Sequence, residues 1–225
     1  MIELQQANCL EYLKTLSDSS VDLVVVDPPY FEIIKDSWDN QWESEQEYLD
    51  WCNTWTQECF RVLKPGSCFY VWGTTKTDTF LKYKLNVLNN ITDAHYQNWI
   101  VWAYDWGGRT KKKFPRKHED LLMYSKGKEF PFYADDIRVP YKMKKNIRTT
   151  ASNNPLGKIP TDVWTKNNHT TSIKAHTRPG EVVLDCFSGS GSTMIACKRT
   201  DRSFVGCEFD KEYYDKSLER LRKYD

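Results

Sequence analysis

One stretch constrains this chain more than any other. The apolar run 23–26 closes a strand-like segment, 21–26, which stops at Asp27-Pro28-Pro29-Tyr30. A strand that is apolar almost throughout is buried on both faces, as strands of a parallel sheet are. Two consecutive prolines have no N–H to give to a ladder, so the sheet ends there. What remains at the strand end is a carboxylate, carbonyls held by rigid rings and an aromatic. That set suits one task, gripping the exocyclic amino group of a flat ring. Far along the chain a second apolar strand, 182–185, runs into Asp185-Cys186-Phe187-Ser188-Gly189-Ser190-Gly191. A glycine-rich turn between strand and helix lets backbone approach a ligand closely and presents free N–H groups to it.

The rest of the pattern alternates. Strands are predicted at 2–6, 21–26, 67–72, 96–104, 120–125, 182–185 and 203–207, and helices at 9–16, 45–62, 76–88, 192–199 and 211–223. The helix over 45–62 carries Tyr48, Leu49, Trp51, Cys52, Trp55, Cys59 and Phe60 toward the core, and Lys64-Pro65-Gly66 stops it. Strands alternating with helices imply an α/β chain with a mostly parallel sheet covered on both faces. From 135 to 168 the pattern dissolves into polar, Pro- and Gly-containing sequence. The length of 225 residues fits one sizeable domain. No apolar stretch approaches the ~20 residues of a membrane span, so a cytoplasmic protein is expected. The seven cysteines are scattered with no Cys-x-x-Cys pair, which predicts buried free thiols rather than a zinc site.

The net charge of +1 does not announce a nucleic-acid partner, but its distribution does. Between Arg109 and Arg148 stand 13 Lys or Arg against 5 Asp or Glu. Arg109, Lys111, Lys112, Lys113, Arg116 and Lys117 cluster in one stretch, followed by Lys142, Lys144, Lys145 and Arg148. Interleaved with Trp106, Phe114 and Tyr141, these cations are the expected phosphate contacts. About 20 residues past the glycines the strand 203–207 ends in Glu208, a carboxylate placed to accept from ribose hydroxyls.

The two strand-end segments resemble motif IV and motif I of the amino-group DNA methyltransferases, in the circularly permuted order that puts the catalytic motif first. The resemblance covers nearly the whole chain and is greatest to the β-group adenine-N6 enzymes of restriction-modification systems. It implies a Rossmann-like, S-adenosylmethionine-dependent methyltransferase fold in a single domain over 1–225. A target-recognition segment, about 134–168, would lie between the catalytic and cofactor halves. Asp27, Pro28, Pro29 and Tyr30 would be catalytic, with Tyr30 stacked on a flipped base. Asn8, Cys9, Asp27, Asp185, Phe187, Gly189, Gly191, Ser192, Thr193 and Glu208 would hold the cofactor. Asn8 stands where the family commonly has Asp; it can accept from the adenine amino group, cap the helix that follows, or do both. Asn146, Arg148, Asn153, Asn154 and Lys158 are side chains able to read base edges, whereas His118 is expected to be structural. Trp38-Asp39 recurs in the family and is expected to pack on the loop after the catalytic turn.

By the same resemblance the partners are double-stranded DNA, a second copy of the chain in a homodimer and a cognate restriction endonuclease. Two rivals stay open: cytosine-N4 methylation, and a catalytically silent DNA-binding partner subunit. One departure stands out. The family's stretch before the strand leading to motif I is shorter here, with Asn168-His169-Thr170-Thr171-Ser172 running straight into Ile173-Lys174-Ala175-His176. A break of on the order of 20 residues between Ser172 and Ile173, visible as a gap wider than the ~3.8 Å of a peptide link, is one expectation. A true shortening is the other.

Overall fold

The computed structural model describes residues 1–32, 41–107, 109–141, 154–165 and 169–224. Among the described residues eight strands form one sheet in the order β1-β8-β7-β2-β3-β5-β4-β6. They are β1 (Ile2–Gln6), β2 (Val21–Val26), β3 (Leu63–Gly73), β4 (Ala94–Ala103), β5 (His118–Lys126), β6 (Val163–Trp164), β7 (Val182–Asp185) and β8 (Ser203–Glu208). The α-helices among the described residues are α1 (Cys9–Thr15), α2 (Glu45–Val62), α3 (Thr79–Asn86), α4 (His169–His176), α5 (Ser192–Lys198) and α6 (Lys211–Arg222).

The sheet has two characters. From β1 through β8, β7 and β2 to β3 every pairing is parallel. Beyond β3 the chain reverses: β3–β5 and β5–β4 pair antiparallel, and β4–β6 is parallel again. Alternation along the strands sorts two cores. Val24, Val26, Phe69, Val71, Leu122 and Tyr124 face a layer containing α1, α2 and α3. Leu23, Val25, Tyr70, Trp72, Leu121 and Met123 face the opposite layer, where α4 and α5 bury Ile173, Met194 and Ile195. Side chains that alternate across a strand thus fill both faces of a central sheet.

Local chemistry sets the boundaries. Ser44 caps α2 by accepting from Glu47 N–H at 3.2 Å, and the Glu47 carboxylate reaches back to Glu43 N–H at 2.7 Å, a capping arrangement that satisfies donors on both sides of the helix start. The helix ends at Val62 because Pro65 biases Lys64 toward extended backbone. The strand then resumes at once, so β3 is longer than the predicted 67–72. The predicted helix 76–88 is trimmed to α3, followed by a 3-10 turn, Leu88–Asn90.

Ser172 and Ile173, where a break or a true shortening was expected, are consecutive residues of α4. Both are inner residues of α4, and the helix continues until Thr177 N–H closes on the Ile173 carbonyl at 3.0 Å. Ile173 fills a core position on the inner face of that helix. All seven cysteines are buried free thiols. In 134–168 the described residues add a 3-10 turn (Ala134–Ile137), an isolated bridge between Val139 and Lys158, and the two-residue β6. No helix among the described residues is long and apolar enough to cross a membrane.

Candidate active site

The carboxyl ends of β1, β8, β7, β2 and β3 open on one cavity of about 590 Å³. In parallel α/β sheets ligands bind in such a crevice, outside the strand ends. One end is walled by Asn8, Phe187, Gly189, Glu208 and Phe209, the other by Tyr30, Gln41, Thr74, Arg116 and Glu119. Asp27 and Pro28 line it as well, on the loop leaving β2, the strand between the two groups.

At the β2 end, Tyr30 Oη donates to Asp27 Oδ1 at 2.7 Å. Burial first, and then the neighbouring Asp27 charge, hold the Tyr30 phenol well above its ordinary pKa, so it stays a donor. Tyr48, from α2, donates to the Pro29 carbonyl at 3.0 Å. Among the described residues no donor reaches the Pro28 carbonyl. One proline carbonyl is anchored and the other is left to accept from a ligand. An aromatic wall backs this loop: Phe31, Trp42 and Trp51 pack around Tyr48, and Trp51 and Trp55 contact Phe187 edge-on.

At the glycine turn the residues divide. Gly189 has φ +50°, and the nearest atom to a Cβ built on it is the Phe187 carbonyl oxygen, 4.0 Å away. Its open side is the cavity. Gly191 has φ +80°, and a Cβ there would meet Met194 Cε at 2.9 Å and Ser217 Cβ at 3.1 Å. It is required for packing α5 against α6 and does not line the cavity. Asp185, Ser192 and Thr193 do not line it either. Asp185 is 4% exposed and accepts from Phe187 N–H at 3.1 Å, holding the turn from behind. Burial pushes its carboxyl up to about 7, against the pull of its hydrogen bonds to Thr193 and Phe187. Thr193 Oγ1 lies 3.3 Å from His169 Nδ1, and Ser192 Oγ accepts from Arg220.

Glu208 straps the turn from the next strand. Its Oε2 accepts from Gly189 N–H at 2.7 Å and its Oε1 from Asp210 N–H at 2.8 Å. Burial raises its pKa while these bonds lower it. Each oxygen keeps a lone pair for a hydroxyl donor. Asn8 Oδ1 caps α1 by accepting from Leu10 N–H at 2.9 Å, and the residue also lines the cavity. Cys9 lines it too, as a thiol held protonated by burial.

These features fit an adenosyl-type cofactor. Gly189 leaves room where a side chain would intrude, Glu208 offers acceptors, and the exposed ring of Phe209 offers a flat surface (72% exposed). Phe209, Thr74, Gln41 and Glu119 were not expected at the site from the sequence, and Trp51 was expected only in the core. Thr74 and Glu119 come together because β3 and β5 pair with Gly73 opposite Asp120. Burial raises the pKa of Glu119, and no hydrogen bond reaches its carboxyl among the described residues.

The basic stretch divides as well. Arg109, Lys111, Lys112 and Lys113 are exposed. Arg116 donates to Thr74 Oγ1 and enters the cavity wall. Lys117 Nζ donates to the Trp106 and Gly107 carbonyls at 2.8 and 3.0 Å, bracing the loop. His118 Nε2 is within 3.3 Å of Thr75 Oγ1. Trp38, Asp39, Lys142, Lys144, Lys145, Asn146, Arg148 and Asn153 lie outside the described residues.

Comparison with known proteins agrees with this geometry. Residues 21–219 match a family model described as DNA methylase. The chain is 35% identical to the Type II methyltransferase M.HpaI of Haemophilus parainfluenzae, over 96% of this chain and 72% of that protein. That alignment runs over 239 positions, more than the 225 residues here, so the relative carries stretches this chain lacks. It is 30% identical to the DNA adenine methyltransferase YhdJ of Escherichia coli K12, over 95% of this chain and 80% of that one. Among solved structures, the M1.HpyAVI–SAM complex superposes with a TM-score of 0.66 at 22% identity, covering 98% of this chain and 99% of the other.

Proposed function

The chain belongs to the DNA methylase family, and from that premise we propose that it methylates the N6 amino group of adenine in a specific double-stranded DNA sequence, using S-adenosylmethionine. The observation that carries this reading is the shared cavity, lined by the Asp27–Tyr30 loop together with the glycine turn on one side and Thr74, Arg116 and Glu119 on the other. Relatedness to a named adenine methyltransferase favours N6 over cytosine N4.

S-adenosylmethionine, when bound, supplies an electrophilic methyl on a sulfonium. Everything else falls to the chain. An adenine N6 is a poor nucleophile because its lone pair is delocalised into the ring. Asp27 and the Pro28 carbonyl accept one amino hydrogen each, which draws the nitrogen toward tetrahedral geometry and localises that lone pair. Positive charge grows on the nitrogen as its bond to the methyl carbon forms and the carbon–sulfur bond breaks to leave S-adenosylhomocysteine, so the Asp27 carboxylate stabilises the transition state more than the ground state; the surplus N6 proton is then lost to solvent. Tyr30 Oη orients the carboxylate, and the Tyr48 bond to the Pro29 carbonyl fixes the loop. Holding two reactants in line is worth roughly 7–11 kcal/mol at best. On the other side Phe187, Gly189, Glu208 and Asn8 bind the cofactor, with Asp185 and Gly191 shaping the turn from outside.

A base paired inside a duplex cannot reach this cavity, so the adenine must leave the stack and enter it. The exposed cations from Arg109 to Lys113 contact the phosphate backbone. We further propose a cytoplasmic setting, a restriction-modification context with a cognate endonuclease and a homodimer, on the strength of the family alone. The direct test is incubation with S-adenosylmethionine and unmethylated genomic DNA, followed by digestion, nucleoside quantification and sequencing of the modified sites. N6-methyladenine from the wild type and none from Asp27→Ala is the expected result. N4-methylcytosine, or no product from a folded, DNA-binding protein, would overturn it.

A further inference from the structure

The loop beside the cavity carries one side chain with no structural reason to be apolar. Phe114 is 98% exposed, more than any other large hydrophobic residue among those described. It follows Lys111, Lys112 and Lys113, all exposed, and Arg116 comes two residues later. The tip has a defined shape. Thr110 Oγ1 donates to the Lys113 carbonyl, Lys117 Nζ ties the base of the loop to the Trp106 and Gly107 carbonyls, and Trp106 stacks on Tyr104 with ring centroids 4.2 Å apart.

Arg116 lines the wall of the open end of the cavity, where it meets Thr74. Two residues of extended chain span at most about 7 Å, so the backbone at Phe114 lies within that distance of Arg116, whose side chain reaches the cavity wall. A fully exposed aromatic ring set among cations is costly in water and useful against nucleic acid. The cations draw phosphates to the loop, and the ring meets whatever lies between the strands. Apolar side chains that enter between base steps unstack them, and an extruded base leaves a hole that a ring can fill by stacking.

Resting on the reading above, we propose that Phe114 is the wedge that opens the duplex: it enters the base stack, occupies the space vacated by the target adenine and keeps that adenine in the cavity. The ring makes no bond to the reacting atoms and contacts neither cofactor nor target amine. Its contribution is confined to the extrusion step.

The test uses a synthetic duplex carrying the target adenine mapped in the genomic assay, and a second duplex in which the nucleotide opposite that adenine is abasic. In the second duplex little is left to open. Loss of one aromatic–base stack corresponds to roughly 5- to 150-fold. Phe114→Ala is expected to lower kcat/KM by that factor on the paired duplex, and by no more than about a third of it on the abasic one. Phe114→Trp is expected to restore activity on the paired duplex. With 2-aminopurine at the target position, the fluorescence rise on wild-type binding should shrink in Phe114→Ala. A variant within twofold of wild type on the paired duplex would overturn the proposal. So would an equal loss on both duplexes, which would make Phe114 a plain contact or a folding residue. Absence of methyladenine from the wild type would sink the underlying reading, and this inference with it.

Discussion

Replacing Asp185 with asparagine should flatten the dependence of stability on pH. The side chain is almost fully buried, and its carboxyl ionises near pH 7 in the fold against 3.8 when unperturbed, with burial as the first cause. An acid whose pKa rises on folding binds its proton more tightly in the native state. Below pH 3.8 both states are protonated and nothing is lost. Between 3.8 and about 7 the unfolded chain releases the proton while the native one keeps it, so stability falls as pH rises; above 7 the loss is complete. At about 1.36 kcal/mol per pH unit, this one ionisation costs the native state on the order of 4 kcal/mol at pH 8. Asparagine has the same shape and can still accept from Phe187 N–H, but it does not titrate. Urea unfolding of both proteins at pH 5, 6, 7 and 8 isolates the effect, because every other group is common to the pair. The stability difference should move in favour of Asp185→Asn by roughly 2–3 kcal/mol between pH 5 and 8. A difference that stays constant across that range would refute the reasoning and assign any effect to hydrogen bonds alone.

Two further substitutions separate the halves of the glycine turn and the cofactor wall. Gly191→Ala forces a Cβ against Met194 and Ser217 at a positive φ; about 1–3 kcal/mol of destabilisation is expected, read as a lowered midpoint in thermal unfolding. Phe209→Ala removes an exposed ring from the cavity wall; calorimetry should show S-adenosylmethionine binding weakened roughly 2- to 12-fold, the worth of an aromatic contact, with the melting temperature unchanged.

Much of this was legible in the sequence because the decisive residues sit where strands stop. The apolar run before Asp27 and the run before Asp185 each bury both faces, so their ends had to lie at the sheet edge, and the structure ends β2 and β7 there. The predicted helix over 45–62 matches α2 residue for residue, since its apolar positions repeat at helical spacing and Ser44 caps it. Two elements escaped. β6 has only two residues and exists because Val163 and Trp164 pair with Val101 and Trp102, a long-range contact with no local signature. The helix α4 buries Ser172 and His176 beside Ile173 and Ala175, so its inner face is too polar to show an apolar period. At the site, Thr74 and Glu119 are 45 positions apart and meet only because β5 runs antiparallel to β3. The glycine turn also hides a difference: Gly189 and Gly191 look alike in sequence, yet one borders the cavity and the other borders Ser217.

The mixed sheet makes β2 a seam. Strands on one side of it, β7, β8 and β1, run into the glycine turn, Glu208 and Asn8, and strands on the other, β3 and β5, carry Thr74 and Glu119 to the open end. Only the loop leaving β2 belongs to both. Substitutions confined to opposite sides of the seam share few neighbours and should combine additively, whereas any change paired with one in the Asp27–Tyr30 loop should not. A chain built this way can exchange the DNA it reads by altering one flank while its methyl donor site is inherited intact, so divergence in target sequence need not be accompanied by divergence in cofactor chemistry.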